Sequence, residues 1–517
     1  MKMHKNISSI RSVSDRALAF FVALIVFLTV LSTLDNDCMW GDDFAAYISE
    51  GIAIAEGRFG QQVAMNSFMH PSPLPKEAVG NELVYVWGYP LILAMVYKLV
   101  GFDTVGFQSV IFYKLPSLVA LSLMAALMYR FFRLRFKKVT AFILSILLCL
   151  HTFYVTAVSS IYSDIVFLLL SWLCFYLAER LVGADPGAPR SITAFLLGIC
   201  MWACCSVRLN GPSVIAVAAL IQLIHLIKNK RKLDPATVGL HLLPYGTLIL
   251  LSLIFNYLIL LPATSNMSDL GAATWEIIRR NIKYYLLIFR FFFFSFPGLP
   301  FPQTFWRPSL FLFISLLALG LLRSFKKEFP YILYLAGTVL TLLLLPYTKG
   351  TRYCFNIFPV LFLLLGYCGE WLYFLIAGRL KPSRRKLLHI LGFAAVVLLV
   401  FSAVVESLSN NFICVLQGQD VRGSDSSTAY SAASVEAYRY IQENTAGNSV
   451  FAFEKPRALF LNTGRLSFNP SVNNHRLSEA DYYLSCNYFS KAQPPLDGCS
   501  LSVVWSNGDF TLFSVDT

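Results

Sequence analysis

The sequence predicts an α-helical polytopic membrane protein of about eleven transmembrane helices, followed by a small C-terminal α/β extracytoplasmic domain. Hydrophobic residues make up 56% of the 517 residues and charged residues only 14%, with a mean hydropathy of +0.61. Soluble domains, by contrast, carry charges on about a quarter of their residues. Apolar runs recur between short basic clusters. After residue 406 the composition becomes polar, which predicts one domain over 1–406 and a second over 407–517.

The predicted spans are apolar runs that approach the roughly 20 residues needed to cross a bilayer. The first run follows a basic N-terminal stretch, but it is long, lacks a small-residue cleavage site and is followed by further spans. We therefore expect a retained helix and not a cleaved signal peptide. The spans lie at about 17–34, 109–129, 139–158, 164–180, 192–207, 211–227, 238–261, 309–323, 331–347, 354–377 and 387–405.

The basic clusters predict the orientation of these spans. A cytoplasmic N-terminus places every one of them on the inner face, as the positive-inside rule requires. In this topology the apolar stretch 85–101 does not cross the membrane. We expect it to lie at the outer interface, anchored by Trp87, Tyr89 and Tyr97. The clusters also account for much of the +13 formal charge, so nucleic acid is not an expected partner. They span residues 130–138, 228–232, 323–327 and 379–386.

Two long loops and the polar tail are then expected outside the membrane. The first loop covers 35–108 and the second 262–308. The tail has a helical pattern at 434–444 and a strand pattern at 449–453. It also has a hairpin signal at Asn507-Gly508 between two β-rich runs. In an oxidising compartment, Cys486 and Cys499 of this tail could form a disulfide.

Three acids on the outer face are the candidate catalytic residues. Asp42 and Asp43 open the amphipathic segment "DDFAAYISEGIAIAEGRFG", and Asp164 precedes the fourth span. Helix capping is the simpler explanation for each, because an Asp at a helix start satisfies free N–H groups. However, adjacent carboxylates repel each other, and an apolar setting raises the pKa of at least one, which suits a general base.

Basic residues on the same face predict an anionic substrate whose phosphate is held by cations. Long basic side chains can also snorkel to the interface, and the segment "RRNIKYY" can bind anionic lipid headgroups. His70 with Glu82 could help to bind a divalent metal ion, the only cofactor that the residues suggest. No motif of a nucleotide-dependent enzyme is present. The phosphate-binding candidates are Arg208, Arg279, Arg280, Lys283, Lys349 and Arg352.

The first-loop segment resembles that of the GT-C membrane glycosyltransferases. The branch in question comprises the dolichyl-phosphate-mannose protein mannosyltransferases and their bacterial aminoarabinose-transferase-like relatives. Asp43, Tyr47 and Gly57 match the family's acid, aromatic and glycine. An ordered series of similar segments extends the resemblance over almost the whole chain. They are "GYPLILAMVYKLVG", "SSIYSDIVFLLL", "VRLNG", "TRYCFNIFPVLFLLLG", "YRYIQENT" and "KPRALFLNTGR".

The resemblance implies transfer of a sugar from a polyprenyl-phosphate donor to a glycan, lipid or protein acceptor, at the outer face and with inversion. It implies that Asp43 is the general base, with Asp42 as the alternative, and that Asp164 orients the acceptor or a metal ion. The chain has no β-trefoil insertion, so a bacterial inner-membrane enzyme is expected and not a eukaryotic protein O-mannosyltransferase.

Two other functions fit a polytopic chain with outer charges. A transporter or lipid-glycan flippase has many spans, but it usually carries charged or broken helices near the bilayer midplane. An adaptor would use the spans only as an anchor for an outer domain that binds a cell-wall partner. The adaptor interpretation leaves the acids of the first loop without a purpose.

Overall fold

The computed structural model of the chain is mostly helical, with a β-sheet near the C-terminus. It describes residues 14–38, 40–69, 85–102, 109–183, 190–228, 235–258, 274–290, 306–345, 350–379, 428–470, 477–489 and 498–516. The helices before the sheet are α1 (Asp15–Leu31), α2 (Asp42–Glu56), α3 (Phe59–Met69), α4 (Gly88–Val100), α5 (Val110–Arg133), α6 (Lys138–Cys149), α7 (Thr152–Val158), α8 (Asp164–Gly183), α9 (Arg190–Val207), α10 (Gly211–Lys228), α11 (Pro235–Leu258), α12 (Trp275–Arg290), α13 (Trp306–Ser324), α14 (Phe329–Leu344) and α15 (Phe358–Arg379). A 3-10 helix, Thr351–Ile357, leads directly into α15.

The long apolar helices confirm a polytopic membrane protein. Within the described residues, five helical stretches are long and apolar enough to cross a bilayer. The bent pair α6 and α7, with an angle of 52° between them, makes a sixth if it forms one span. Further apolar helices are shorter, and the predicted span at 387–405 lies outside the described residues. The five stretches are Val110–Arg133, Asp164–Gly183, Arg190–Val207, Pro235–Phe255 and Thr351–Ile376.

Helix α4 lies within the apolar stretch 85–101, for which we predicted an interfacial position. Its 13 residues extend for about 20 Å, which is too short to cross the hydrocarbon core. The predicted role of Tyr89 as an interfacial anchor is wrong, because its ring is fully buried and lies 5.0 Å from that of Tyr47. Trp87 stacks on Phe255 at 5.6 Å, so it too contacts protein.

Helix α2 lies between α4 and the C-terminal part of the chain. Gly51 allows the close approach to α4, because a Cβ at this position would lie 3.0 Å from the carbonyl oxygen of Pro90. The helix ends at Gly57, whose φ of 70° is a left-handed conformation that glycine adopts without strain. Most of the residues from Phe44 to Ala53 are buried. This helix therefore behaves as part of the core and not as a mobile loop.

The C-terminal unit is an α/β layer with a five-stranded sheet. Its order is β2-β1-β3-β5-β4, with β1 parallel to β2 and β3, and with β5 antiparallel to β3 and β4. The predicted helix, strand and hairpin are all present, although the predicted boundary at 406/407 lies outside the described residues. The elements are α16 (Ala432–Asn444), β1 (Val450–Ala452), α17 (Pro456–Thr463), β2 (Leu466–Phe468), β3 (Tyr482–Cys486), β4 (Ser500–Ser506) and β5 (Phe510–Asp516).

The register of this sheet contradicts the predicted disulfide. Cys486 ends β3 opposite Phe510, whereas Ser500, next to Cys499, lies opposite Asp516. The two positions are thus separated by the length of β5, about 20 Å at the usual strand rise. A disulfide requires Cα atoms within about 7 Å of each other. The prediction of a Cys486–Cys499 disulfide is therefore wrong.

The first outer loop is fixed on both sides before α2 begins. On the membrane side, the buried Lys114 of α5 donates to the carbonyl oxygen of Asp35 at 2.9 Å. On the other side, the indole of Trp40 contacts three rings of the C-terminal unit, with centroid distances of 5.2 to 6.2 Å. These rings belong to Phe453, Phe489 and Phe510. The loop thus joins the helical layer to the sheet.

A buried ionic cluster joins four elements near the predicted inner face. Arg135, one of the predicted cytoplasmic basic residues, pairs with Glu179 of α8 and with Glu328, the residue before α14. Tyr331 donates to Glu179 and Tyr367 of α15 donates to Glu328, both at 2.6 Å. The cluster therefore ties the α5–α6 connection to α8, α14 and α15.

Candidate active site

The site begins at the start of α2, where Asp43 meets two partners from distant parts of the chain. Its carboxylate lies 2.6 Å from the guanidinium of Arg352, in the 3-10 helix before α15. The hydroxyl of Tyr85, just before α4, donates to the other carboxylate oxygen at 2.5 Å. About a quarter of each charged side chain remains exposed, at 25% for Asp43 and 27% for Arg352. The pair is therefore sheltered but accessible to a substrate.

A second acid–arginine pair lies nearby. Asp164, the first residue of α8, is buried and forms an ion pair with Arg208, the residue that follows α9. The ring of Tyr353 connects the two pairs, because the guanidinium carbons of Arg352 and Arg208 lie 5.3 and 5.4 Å from its centroid. Arg352 also lies 4.7 Å from the ring of Tyr162. The structure thus brings together four of the predicted site residues.

Aromatic residues hold the Asp43 region against α8. The ring of Tyr47, one turn after Asp43, stacks on that of Tyr85 at 4.1 Å. Its hydroxyl forms a 2.9 Å hydrogen bond with that of Ser163, immediately before Asp164. Burial, together with the charge of Asp43, raises the pKa of Tyr85 well above its usual value. Tyr85 therefore stays protonated and can donate to Asp43.

Adjacent positions on one helix turn direct Asp42 and Asp43 toward different surroundings. Residues next to each other on an α-helix differ in direction by about 100°. Burial raises the pKa of Tyr438 in α16, and the charge of Asp42 contributes to this rise. The charge of Asp42 thus acts on the C-terminal unit, whereas Asp43 contacts Arg352 and Tyr85.

The pKa of Asp43 differs from what the sequence led us to expect. Burial alone would raise it, as we predicted for at least one of the two neighbouring acids. The charge of Arg352 and the hydrogen bonds from Tyr85 and Arg352 outweigh burial and hold the pKa below its usual value. The rise that we predicted for at least one of the two acids therefore does not occur at Asp43. The carboxylate is ionised at neutral pH.

Sequence reasoning missed Arg457, the second residue of α17. This helix packs against α2. The side chain of Arg457 is buried, and its charge is among those that lower the pKa of Asp43. In the sequence, the "KPRALFLNTGR" segment shows only a family resemblance. No spacing within the tail indicates that an arginine of the tail lies beside an acid more than 400 residues earlier in the chain.

A search of known proteins gives a structural likeness but no sequence match. No protein-family model and no curated protein matches the chain. The crystal structure of ArnT from Cupriavidus metallidurans bound to undecaprenyl phosphate is similar, with a TM-score of 0.55 and 14% identity. This likeness covers 96% of this chain and 97% of that one. The apo state of the same ArnT gives a TM-score of 0.52 over the same shares of the two chains, again at 14% identity.

The chain has the GT-C fold. ArnT is an aminoarabinose transferase with this fold, so the predicted family resemblance is confirmed at the level of fold. The likeness extends through both the helical layer and the C-terminal unit, since it includes nearly the full length of both chains. In the GT-C fold of this protein, the two acid–arginine pairs occupy the junction of the first loop, α8 and the segment before α15.

Other predicted site residues of this GT-C chain lie outside the buried cluster. Arg279, Arg280 and Lys283 are exposed on α12. The buried Asn281 of the same helix donates at 2.7 Å to the carbonyl oxygen of Leu345. It thereby fixes α12 to the end of α14. Lys349 lies outside the described residues.

The acids of this site do not fit a metal ion. Asp43 and Asp164 each pair with a guanidinium, which leaves their carboxylates poorly suited to bind a second cation. Within the described ranges, no group of three or more His, Cys, Asp or Glu residues could hold a metal. His70 and Glu82, the predicted metal ligands, lie outside those ranges.

Proposed function

We propose that this protein is a membrane glycosyltransferase that uses a polyprenyl-phosphate-linked sugar donor. It transfers the sugar to a hydroxyl of a glycan, lipid or protein acceptor at the outer face of the membrane, with inversion. The observation that carries the proposal is the ionised Asp43, held by Arg352 and Tyr85 at the start of the first-loop helix of a GT-C fold. The ArnT structure with bound undecaprenyl phosphate supports the choice of lipid carrier.

Asp43 acts as the general base in this proposal. As the acceptor oxygen bonds to the anomeric carbon, its proton passes to a carboxylate oxygen of Asp43. The bond between the anomeric carbon and the phosphate oxygen breaks, and the phosphate leaves with the electron pair. A carboxylate of low pKa is a weak base, but the proton becomes acidic as positive charge develops on the attacking oxygen. The leaving phosphate needs no general acid.

The arginines stabilise negative charge on the carboxylates and on the phosphate in this mechanism. Arg352 keeps Asp43 ionised between turnovers. Arg208 pairs with the buried Asp164, which would orient the acceptor. A phosphate near Tyr353 would lie within reach of both guanidinium groups, and such preorganised charge is often the largest contribution to a rate. Arg279, Arg280, Lys283 and Lys349 are further candidates to hold the carrier phosphate as it arrives from the bilayer.

The class of sugar stays open between hexose and pentose, since the fold hosts more than one donor. We propose a location in a bacterial inner membrane, with a cytoplasmic N-terminus and the C-terminal unit outside. The arrangement of the basic clusters at 130–138, 228–232, 323–327 and 379–386 supports this orientation.

In the test, purified protein in nanodiscs is incubated with each of a panel of radiolabelled polyprenyl-phosphate sugars. A crude membrane extract supplies the acceptor. We expect label to leave one donor and to appear in an acceptor, and we expect Asp43→Asn to abolish this transfer. A parallel assay in sealed vesicles follows movement of the intact donor across the bilayer. Movement without transfer would contradict the enzyme and favour the flippase.

A further inference from the structure

Arg457 is held where the C-terminal unit meets the first-loop helix. It is the second residue of α17, which packs against α2. The next residue, Ala458, and Leu461 belong to the same hydrophobic core as the membrane helices. Ser467 donates to the carbonyl oxygen of Pro456 at 2.6 Å and so fixes the start of α17. The backbone of Arg457 is therefore rigidly placed.

The guanidinium of Arg457 lacks the hydrogen-bond partners that another arginine of the C-terminal unit has. Its side chain is only 8% exposed, and its Nε atom is buried without a hydrogen-bond partner among the described residues. Arg465 of the same unit, by contrast, donates to the carbonyl oxygens of Thr445 at 2.9 Å and Thr463 at 3.1 Å. Burying an unpaired charge is costly, so this position favours an incoming anion.

The charge of Arg457 acts on the active site, and the helix that carries it packs against α2. Arg457 is close enough to lower the pKa of Asp43, and its charge also opposes the rise in the pKa of Tyr85. Arg352 forms an ion pair with Asp43, and Arg208 forms one with Asp164. Among these three cations, Arg457 is the one with no ion pair to a described acid.

We propose that Arg457 binds a phosphate group of a substrate, so that the C-terminal unit completes the active site. A guanidinium presents paired N–H donors that match two oxygens of a phosphate, and it stays charged at every relevant pH. The phosphate belongs either to the polyprenyl carrier or to the acceptor, an assignment that rests on the proposed function. Either source gives the C-terminal unit a direct part in substrate binding.

The test measures binding by the full-length chain in nanodiscs with two probes, undecaprenyl phosphate without a sugar and inorganic phosphate. We expect Arg457→Gln to weaken binding by about tenfold to a hundredfold, the usual effect of losing a charge-assisted hydrogen bond. Arg457→Lys should retain part of the affinity. Arg439→Gln removes the same charge from an exposed position on α16 and should change nothing. The measurements are made above neutral pH, so that Asp43 stays ionised in every variant.

The pattern across the probes distinguishes the two sources. Weaker binding of both probes assigns the phosphate to the carrier, whereas weaker binding of inorganic phosphate alone assigns it to the acceptor. The proposal would be overturned if Arg457→Gln and the unmodified chain had equal affinities for both probes and equal melting temperatures. It would also be overturned if the unmodified chain bound neither probe. Neither binding measurement depends on turnover. The proposed transfer reaction can therefore fail without changing the binding result, and the two failures are distinguishable.

Discussion

The carboxylate of Asp43 and the guanidinium of Arg352 lie 2.6 Å apart, although 308 residues separate them in the chain. This contact joins the first outer loop to the 3-10 helix before α15. It also determines the protonation of the proposed base, because the charge of Arg352 outweighs the effect of burial on Asp43. The contact therefore links the fold of the outer face to its chemistry.

Replacing Arg352 by Gln should shift the pH profile of transfer. In the folded protein the charge of Arg352 and its hydrogen bond lower the pKa of Asp43, so removal of Arg352 raises that pKa. On the acid side of the profile, protonation of Asp43 removes activity. In the variant this loss should occur at a higher pH. The measurement is kcat/KM against pH for the variant and the unmodified enzyme. An unchanged acid limb would contradict this role of Arg352.

The Tyr85→Phe variant should lower kcat about tenfold, since it removes one hydroxyl that donates to the charged Asp43. The ring that stacks on Tyr47 is kept, so we expect an unchanged melting temperature. Tyr488→Phe, at an exposed ring of the C-terminal unit, serves as the matched control. A Tyr85→Phe enzyme with the kcat of the control would show that this hydrogen bond does not assist transfer.

Loss of Glu328 should destabilise the helical layer without affecting the outer site directly. Glu328→Gln leaves the buried Arg135 with one carboxylate partner in place of two, which we expect to cost about 3 kcal/mol. Thermal unfolding in detergent measures the effect, and Glu443→Gln at an exposed position of α16 is the control. Equal melting temperatures for the two variants would show that the ionic cluster does not stabilise the fold.

Trp40→Ala should loosen the C-terminal unit from the helical layer. The indole contacts Phe453, Phe489 and Phe510, and removing a packed aromatic side chain costs up to about 3 kcal/mol. We expect faster limited proteolysis of the C-terminal unit. Trp275→Ala removes an indole that is 73% exposed on α12 and should leave the proteolysis rate unchanged. Equal rates for the two variants would contradict the docking role of Trp40.

Local patterns in the sequence were enough to predict several of the elements. Apolar length predicted α5, α8 and α9, and the Asn507-Gly508 turn predicted the hairpin, because each depends on neighbouring residues. The match of Asp43 and Tyr47 to an acid and an aromatic came from the family resemblance. In the structure, Tyr47 reaches Ser163, beside Asp164.

Contacts between distant residues were not predictable in this way. The burial of Tyr89 depends on its packing against α2, and the separation of Cys486 from Cys499 depends on strand register. The lowered pKa of Asp43 and the position of Arg457 both follow from the docking of separate segments on α2. A single sequence carries no local signal for such docking.

The central claim, that Asp43 is the base of a sugar transfer, is tested most directly by measuring turnover and donor binding together for Asp43→Asn and Asp42→Asn. We predict that Asp43→Asn loses about 10²- to 10⁴-fold in kcat and keeps its affinity for the donor. Asp42→Asn should stay close to the unmodified enzyme, because Arg352 and Tyr85 hold the carboxylate of Asp43. Full turnover by Asp43→Asn would contradict the account.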